Sequence, residues 1–425
     1  MPQRDCLVIG SGAREHALCW ALRKSPSVGA ILAAPGNPGM AEIAECVPIP
    51  VTDPDALAQL AEDRGIGLVV VGPEAALEAG VVDRLRERDI PVFGPTRAAA
   101  ELEWSKAFAK HLMADNAVPT AAFSVHDSLD GALAAVRAMD TSVVVKADGL
   151  AAGKGVFVCR SRADAEAAVR RILADDLFGN AGARVVIEEC LVGPEVSVIA
   201  LCDGERFVRL PSARDHKRLL DGDRGPNTGG MGAFAPAIDA DGTALLEEID
   251  DRVFRPVLAA MARMGRPFVG ALFAGLILTR SGPQVLEFNC RFGDPETQVL
   301  LPLLEGDLAQ ALLSAANGKI DPEALRRIPG AAAGVVLAAE GYPDHPRGGD
   351  RIFGIEAARD RGALVFHAGT RMHDGHPVTG GGRVLTVVGQ GQTLDAALAV
   401  AYAGADAITF PGMQYRRDIA HPGRL

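Results

Sequence analysis

Two short stretches carry residue types that could do chemistry together. The first, KADGLAAGKGV from Lys146 to Val156, places two lysines and three glycines in eleven residues after the apolar run SVVV. A glycine-rich turn after a strand lets backbone N–H groups approach an anion closely, as at phosphate-binding loops. The spacing is not that of a Walker A loop, which needs four residues between its glycines and a Ser or Thr after the lysine. Here three residues separate Gly149 from Gly153, and Lys154 is followed by Gly155. No hydroxyl stands ready for a cation, so a phosphate site built on this loop needs cation ligands from elsewhere in the chain.

The second stretch, QVLEFNCRFGDPE from Gln284 to Glu296, supplies them. Alternate residues of a strand share a face, which predicts Glu287, Asn289 and Arg291 on one side and Leu286, Phe288 and Cys290 on the other. A carboxylate and an amide carbonyl two residues apart are hard oxygen donors of the kind Mg²⁺ accepts beside phosphates and water. Arg291 can take phosphate or carboxylate oxygens in a fork. A lone E-x-N-x-R reads more simply as the solvated face of an edge strand; the FGDPE that follows, with a glycine, a turn and two more carboxylates, favours the metal pair Glu287 and Asn289.

The elements that must position these residues follow from the rest of the chain. At 425 residues the expectation is roughly two to four domains. A hydrophobic fraction of 48% with 23% charged residues is that of a globular protein, and no apolar run approaches the ~20 residues of a membrane span. The N-terminus, MPQRDCLVIGSG, lacks a secretory pattern, and the seven cysteines form no CxxC pair, so reduced core thiols and a cytoplasmic location are expected. A net charge of −11 argues against general nucleic-acid binding, which works through a basic surface.

Residues 1–102 alternate short apolar runs (CLVIG, AILAAPG, GLVVVGPE, PVFGPT) with helical patterns, the rhythm of a parallel sheet with covering helices. Ligands of such sheets bind at the carboxyl ends of the strands. Residues 103–328 form a second block, within which about 120–193 reads strand, helix, strand, glycine loop, strand, helix, strand, a compact α+β lid. Residues 329–425 are rich in Gly and short strands and predict a β-rich C-terminal domain. In VIGSGAREHAL, Gly10 and Gly12 begin like a dinucleotide fingerprint, but Glu15 holds the third glycine position, which disfavours a nicotinamide cofactor. The turn at a helix N-terminus still suits one phosphate, with Arg14 near; a plain strand-to-helix turn is the other reading. His16 is expected only to pack or cap.

In order along the chain, REHAL, APGNPG, VGPE, SKAF, KADGLAAGKGV, VIEE, DHKR, GPNTGGMGA, EFNCRFGDPETQ, FHAGT and GGRVL resemble the ATP-grasp superfamily, and within it the phosphoribosylamine–glycine ligases. The resemblance runs nearly the whole length. It implies an ATP-grasp fold, α/β and α+β in class, with an N-terminal Rossmann-like parallel-sheet domain and a C-terminal β-rich domain. It also implies ATP-dependent ligation of glycine to 5-phosphoribosylamine through glycyl phosphate, in purine biosynthesis, with Mg²⁺ or Mn²⁺. Transient contact with the enzyme that supplies phosphoribosylamine fits the same picture.

Carried over by position, the resemblance puts Lys106, Lys146 and the loop Gly153, Lys154 and Gly155 on ATP phosphates. It puts the hinge Glu188, Glu189 and Leu191 on adenine, Glu195 on the ribose, and Glu287 and Asn289 on the metal. Arg291 stabilises the transferring phosphoryl group. Gly10, Gly12, Arg14, Glu15, Asn227, Thr228 and Arg383 fall on the substrate side, Asp215 and Lys217 lie against the active site, and Asp215 and Asp294 are candidates for the glycine ammonium. The sequence departs from the family pattern at Ala13, Trp104 and Arg214, which puts fine substrate contacts in doubt. Another ATP-grasp ligase or carboxylase, activating bicarbonate or formate, is the first rival; a silent nucleotide-binding regulator is the second, disfavoured by the presence of Glu287, Asn289 and Lys146.

Overall fold

The computed structural model describes residues 3–139, 142–149, 155–175, 179–239 and 242–421. The runs CLVIG, ILAA and LVVV are buried almost without interruption, as expected of strands covered on both faces. They form a five-stranded parallel sheet in the order Glu45–Cys46, Val28–Pro35, Arg4–Gly10, Leu68–Val71, Val92–Phe93. The order reverses at Arg4–Gly10, so the crevice beyond its carboxyl end lies at a topological switch point.

Two antiparallel sheets build the middle of the chain. One is ordered Phe123–His126, Val185–Glu189, Val143–Ala147, Val156–Cys159. Helices Leu129–Ala138 and Arg162–Leu173 close over it through a core of its own that includes Leu133, Val136, Val145, Val169 and Ile172. Its order of strands and helices is the one expected of the lid over 120–193. The other is ordered Phe207–Arg209, Glu195–Gly204, Phe268–Thr279, Gly282–Asn289. A further sheet joins Arg214–Asp215 and Gly232–Ala235 to Ala331–Ala338, Arg383–Gly391 and Leu364–His367. Main-chain hydrogen bonds thus tie the segment after residue 329 to the segment before it.

The strand Gly282–Asn289 departs from simple alternation. Gly275 pairs with Glu287, yet the next residue, Leu276, pairs with Val285, which leaves Leu286 as the extra residue of a bulge. Pro283 and Val285 are buried before the bulge and Phe288 after it. The bulge switches parity, so odd-numbered residues face the core before Leu286 and even-numbered ones after it. The strict alternation expected through Leu286 is therefore corrected there. The strand also stops at Asn289, so Arg291 stands on the bend that follows rather than in the strand.

Among the described residues no helix is long and apolar enough to cross a membrane. The seven cysteines are unbridged and five of them are buried.

Three buried histidines sit where distant segments meet. His16 Nδ1 accepts the backbone N–H of His367 (2.9 Å), and His216 Nε2 accepts that of Ala420 (2.9 Å). Burial, with neighbouring positive charge second, lowers His16 from 6.5 to about 3 and His216 and His367 to about 4. Below pH 6.5 the unfolded chain takes up protons that the native chain refuses. Stability therefore falls with pH until each folded value is reached, by up to about 1.4 kcal/mol per pH unit for each group. Urea unfolding between pH 7.5 and 5 should show this loss, and His16→Asn or His216→Gln, which keep the acceptor without the titration, should make it shallower; an unchanged slope in both would remove these groups as its cause.

Candidate active site

The register of the second antiparallel sheet lays out the floor of a cleft. Ser197 opposes Gly275, and Gly275 opposes Glu287. Residues in one such row share a face, so Ser197 and Glu287 look the same way across a glycine. A Cβ at Gly275 would lie 3.4 Å from Glu287 Cγ and 3.5 Å from the Phe273 ring; glycine keeps this gap open. Asn289 lies one row on, opposite Phe273, and Glu195 one row back, opposite Ile277.

Lys146, on the central lid strand Val143–Ala147, reaches down to this floor. Its Nζ donates to the carbonyl of Leu286 (3.0 Å), the bulge residue. The same Nζ lies 2.9 Å from Glu188 Oε1, and Glu188 Oε2 lies 2.9 Å from Lys110 Nζ. All three side chains are almost fully buried. Burial lowers Lys110 to about 8, with Glu188 opposing and Lys146 reinforcing the fall. Lys110 also donates to Thr120 Oγ1 (2.7 Å), whose hydroxyl donates to the carbonyl of Val285 (2.7 Å), so lid hinge and bulge are pinned together. Lys106, on the helix Lys106–Asp115, donates to the carbonyl of Gly149 (3.2 Å). Gly153 and Lys154 lie outside the described residues. The carbonyl of Gly155 accepts from the N–H of Ala147 (2.8 Å).

Opposite the lid, Lys217 Nζ bridges Glu195 (3.1 Å) and Asp215 (3.0 Å). Burial raises Glu287, but Lys217, Lys146, Lys106 and Arg291 together outweigh it and leave its carboxyl below the usual value. Glu287 is thus held as an anion inside a ring of cations, and with the Asn289 carbonyl it offers hard oxygen donors to a divalent ion. Glu296 accepts from Ser197 Oγ (3.0 Å); burial first, and the negative charge of Asp215 second, push it up to about 7.

Arg291 is gripped by acids from other parts of the chain. Its Nε lies 3.2 Å from Glu74 and 3.4 Å from Glu103, and its Nη2 donates to Asn289 Oδ1 (3.1 Å). Glu103 also accepts the N–H of Cys290 (2.7 Å). Burial lowers Arg291 but Glu103 and Glu74 reverse that, so it stays charged. Asp294 is engaged on both oxygens, by Arg383 Nη2 (2.8 Å) and Gln298 Nε2 (2.7 Å). Its Oδ2 lies 3.9 Å from where a Cβ on Gly12 would stand, which places it beside the N-terminal turn.

In that turn Glu15 lies beneath the backbone. Its Oε2 accepts the N–H of Gly12 (2.7 Å) and its Oε1 lies 2.5 Å from Arg14 Nε. Gly10 has φ +133, and a Cβ there would come within 2.4 Å of Glu15 Cγ; only glycine fits. Glu15 thus holds the Gly12 N–H and the Arg14 guanidinium rather than lining the surface of the turn.

At the lid hinge the side chain of Glu188 turns inward to the lysines, while the N–H groups of Glu189 and Cys190 are taken by Ala122 and Ser142; Leu191 is half-buried and Val192 is 85% exposed. Thr228 donates to the carbonyl of Lys217 (2.8 Å), and half-buried Asn227 pairs with Arg218 in a hairpin. Of the family departures, Ala13 opens the first helix, Trp104 ends the helix Arg97–Trp104, and Arg214 pairs with Phe234. The sequence reading did not assign Lys110, Glu74, Glu103, Ser197 or Glu296 to the site. FGDPE marked Glu296 as one of two more carboxylates beside the metal pair; nothing local marked the other four.

Residues 4–103, 104–297 and 332–422 match the N domain, the ATP-grasp (A) domain and the C domain of phosphoribosylglycinamide synthetase. The phosphoribosylamine–glycine ligase of Ralstonia nicotianae is 48% identical over 416 residues, 98% of each chain. That of Caulobacter vibrioides is 47% identical over 424 residues, 99% of this chain and 98% of that one. The crystal structure of the Thermotoga maritima ligase superposes with a TM-score of 0.85 at 36% identity, covering 98% of this chain and all of that one. The biotin carboxylase domain of a Hydrogenobacter thermophilus 2-oxoglutarate carboxylase, solved with MgADP and bicarbonate, shares the fold at a TM-score of 0.71 and 16% identity, covering 97% of this chain and 92% of that one.

The buried trio Lys110, Glu188 and Lys146 generates a test. Glu188→Gln leaves two buried lysines without a counter-charge and should cost about 3–5 kcal/mol, read by urea unfolding. Lys110→Met keeps the pair of Glu188 with Lys146 and should cost less. Equal costs would mean that the trio is not electrostatically organised around Glu188.

Proposed function

The chain belongs to the phosphoribosylglycinamide synthetase family, and from that premise we propose a residue-level account of its chemistry. The protein is an ATP-dependent ligase that joins glycine to 5-phosphoribosylamine in purine biosynthesis, giving glycinamide ribonucleotide, ADP and phosphate. The observation that carries the account is the convergence on one cleft of Lys106 and Lys146 from above and Glu287 and Asn289 from the floor.

The γ-phosphoryl group of ATP sits between these two sets. The glycine carboxylate attacks it, ADP leaves, and glycyl phosphate forms; the amine of phosphoribosylamine then attacks the acyl carbon, loses a proton, and phosphate departs. Phosphoryl transfer needs positioning and neutralisation of spread charge more than covalent help. Lys146, fixed by Glu188 and the Leu286 carbonyl, and Lys106 hold phosphate oxygens. Arg291, held by Glu74 and Glu103, faces the transferring group. Glu287 and Asn289 would hold a divalent cation, Mg²⁺ or Mn²⁺, which would supply further screening of phosphate charge.

Glu195 and the hinge Glu188 to Leu191 receive the nucleoside, the hinge through its backbone. Asp215 and Asp294 are the candidates for the glycine ammonium; Asp294, beside Gly12 and tied to Arg383, also faces the phosphoribosylamine side, where Gly10, Gly12 and Arg14 form the anion turn. Glycyl phosphate hydrolyses readily, so closure of the lid over the cleft excludes water. Unbridged cysteines support a cytoplasmic location.

ADP release by the purified protein with Mg²⁺-ATP should require both glycine and phosphoribosylamine and yield a product with the mass of glycinamide ribonucleotide. ADP formed with another carboxylic acid instead would retain the ATP site and overturn the substrates. Glu287→Gln should fold normally and lose at least ~10²-fold in turnover, the scale of a lost transition-state electrostatic contact; full activity at saturating Mg²⁺ would remove Glu287 from the metal site.

A further inference from the structure

Among the described residues, the least exposed cation has no part in the chemistry above. Arg416 is 1% exposed, eleven residues into the described stretch that follows Ala405, the end of the last helix. Its guanidinium is used on three sides. Nε and Nη2 donate to the two oxygens of Asp418 (2.7 Å each), and Nη1 donates to Asp223 Oδ1 (2.7 Å) and to the carbonyl of Arg218 (3.2 Å).

Further bonds run beside it. The N–H of Gly222 donates to Asp418 Oδ2 (2.7 Å), the N–H of Arg417 to Asp221 Oδ1 (2.8 Å), and the N–H of Ala420 to His216 Nε2 (2.9 Å). All of them join residues 416–420 to residues 216–223. Asp223 has φ +52, a left-handed conformation that Asp tolerates but does not prefer, and its carboxylate is one that Arg416 holds.

The segment so gripped is the hairpin of Arg218–Leu220 with Arg224–Asn227. Its open end enters the cleft. Lys217, just before it, carries the bridge to Glu195 and Asp215, and Thr228, just after it, donates both its N–H and its hydroxyl to the carbonyl of Lys217 (2.8 Å each). The next carbonyl, of Gly229, accepts from Arg383, which holds Asp294. The hairpin tip is exposed and has only two strands, and a lone two-stranded hairpin is at best marginally stable in water. Its geometry needs an outside support.

We propose that Arg416 is a positioning residue of the ligase site: the C-terminal segment grips the hairpin 218–227 from behind and thereby fixes Lys217 and Gly229 at the cleft. The proposal rests on the functional reading above for the identity of the substrates. Arg416 touches no substrate; it acts through the hairpin.

The test is steady-state kinetics of the full chain together with limited trypsinolysis. In Arg416→Met the KM for glycine and for phosphoribosylamine, whose candidate contacts Asp215 and Asp294 are tied to Lys217 and, through Arg383, to Gly229, should rise by about 10²-fold, the scale of a misplaced active-site group, and the KM for ATP, which meets the hairpin only through Glu195, should rise less. Cleavage after Arg218 and Arg224 should become faster. Arg416→Lys, which keeps the charge without the fork, should fall between, and Asp418→Asn, a milder change, should reproduce the same split. Unchanged KM values with unchanged cleavage would overturn the proposal, as would an equal loss for all substrates with the hairpin still protected. If the unaltered protein ligated nothing, the functional reading would fail, and hairpin cleavage in Arg416→Met and Asp418→Asn would still decide the clamp.

Discussion

One extra residue in one strand, Leu286, sets the geometry on which the cleft depends. Because Leu276 pairs with Val285 while Gly275 pairs with Glu287, the side chains of Glu287 and Asn289 turn to the cleft, whereas their odd-numbered neighbours Pro283 and Val285 face the core. The same irregularity frees a carbonyl, and Lys146 takes it. A regular strand would put Glu287 and Asn289 on the core side or Val285 in the cleft, and would leave Lys146 without its anchor on the floor. Lid and floor are thus referenced to one point, and a bulge is a common device for re-aiming side chains beside a site.

Around that point the excess of positive charge lies on the lid side, where an anion would complete it. Lys110 and Lys146 share Glu188, a buried trio with one positive charge in excess. Lys106 adds another beside it, and Lys217 is offset by Glu195 and Asp215. The chain as a whole carries −11, so the positive field is local, made where desolvation raises its strength. Arg291 shows the same economy: its buried charge is balanced by Glu74 and Glu103, brought from separate helices.

The substrate side is built by segments far apart in sequence. Gly12 with Glu15, Asp294 with Gln298, and Arg383 with Gly229 meet at one place. A sheet that crosses residue 329 and the backbone bonds of His16 and His216 hold these segments in register. Positioning is therefore a property of the packed whole, and the clamp of residues 416–420 on the hairpin extends it to the end of the described chain.

The sequence alone determined the class of chemistry, because that depends on residue types and short spacings: a glycine loop with lysines, a carboxylate and an amide two apart, and a Gly-Pro rhythm of parallel strands. It also determined the strand and helix order of residues 120–193, which follows from local periodicity. It did not determine the bulge, since one skipped pairing leaves no mark in composition and period two predicts the wrong face for Val285 and Leu286. Nor did it determine the partners of the charged groups. Glu188 reads as a hinge residue and proves to be the counter-ion of two lysines; Asp294 reads as a candidate for the glycine ammonium, and its two oxygens are held by Arg383 and Gln298. Local sequence fixes which way a side chain leaves its own backbone, whereas its electrostatic partner comes from elements tens or hundreds of residues away, and only tertiary packing brings those together.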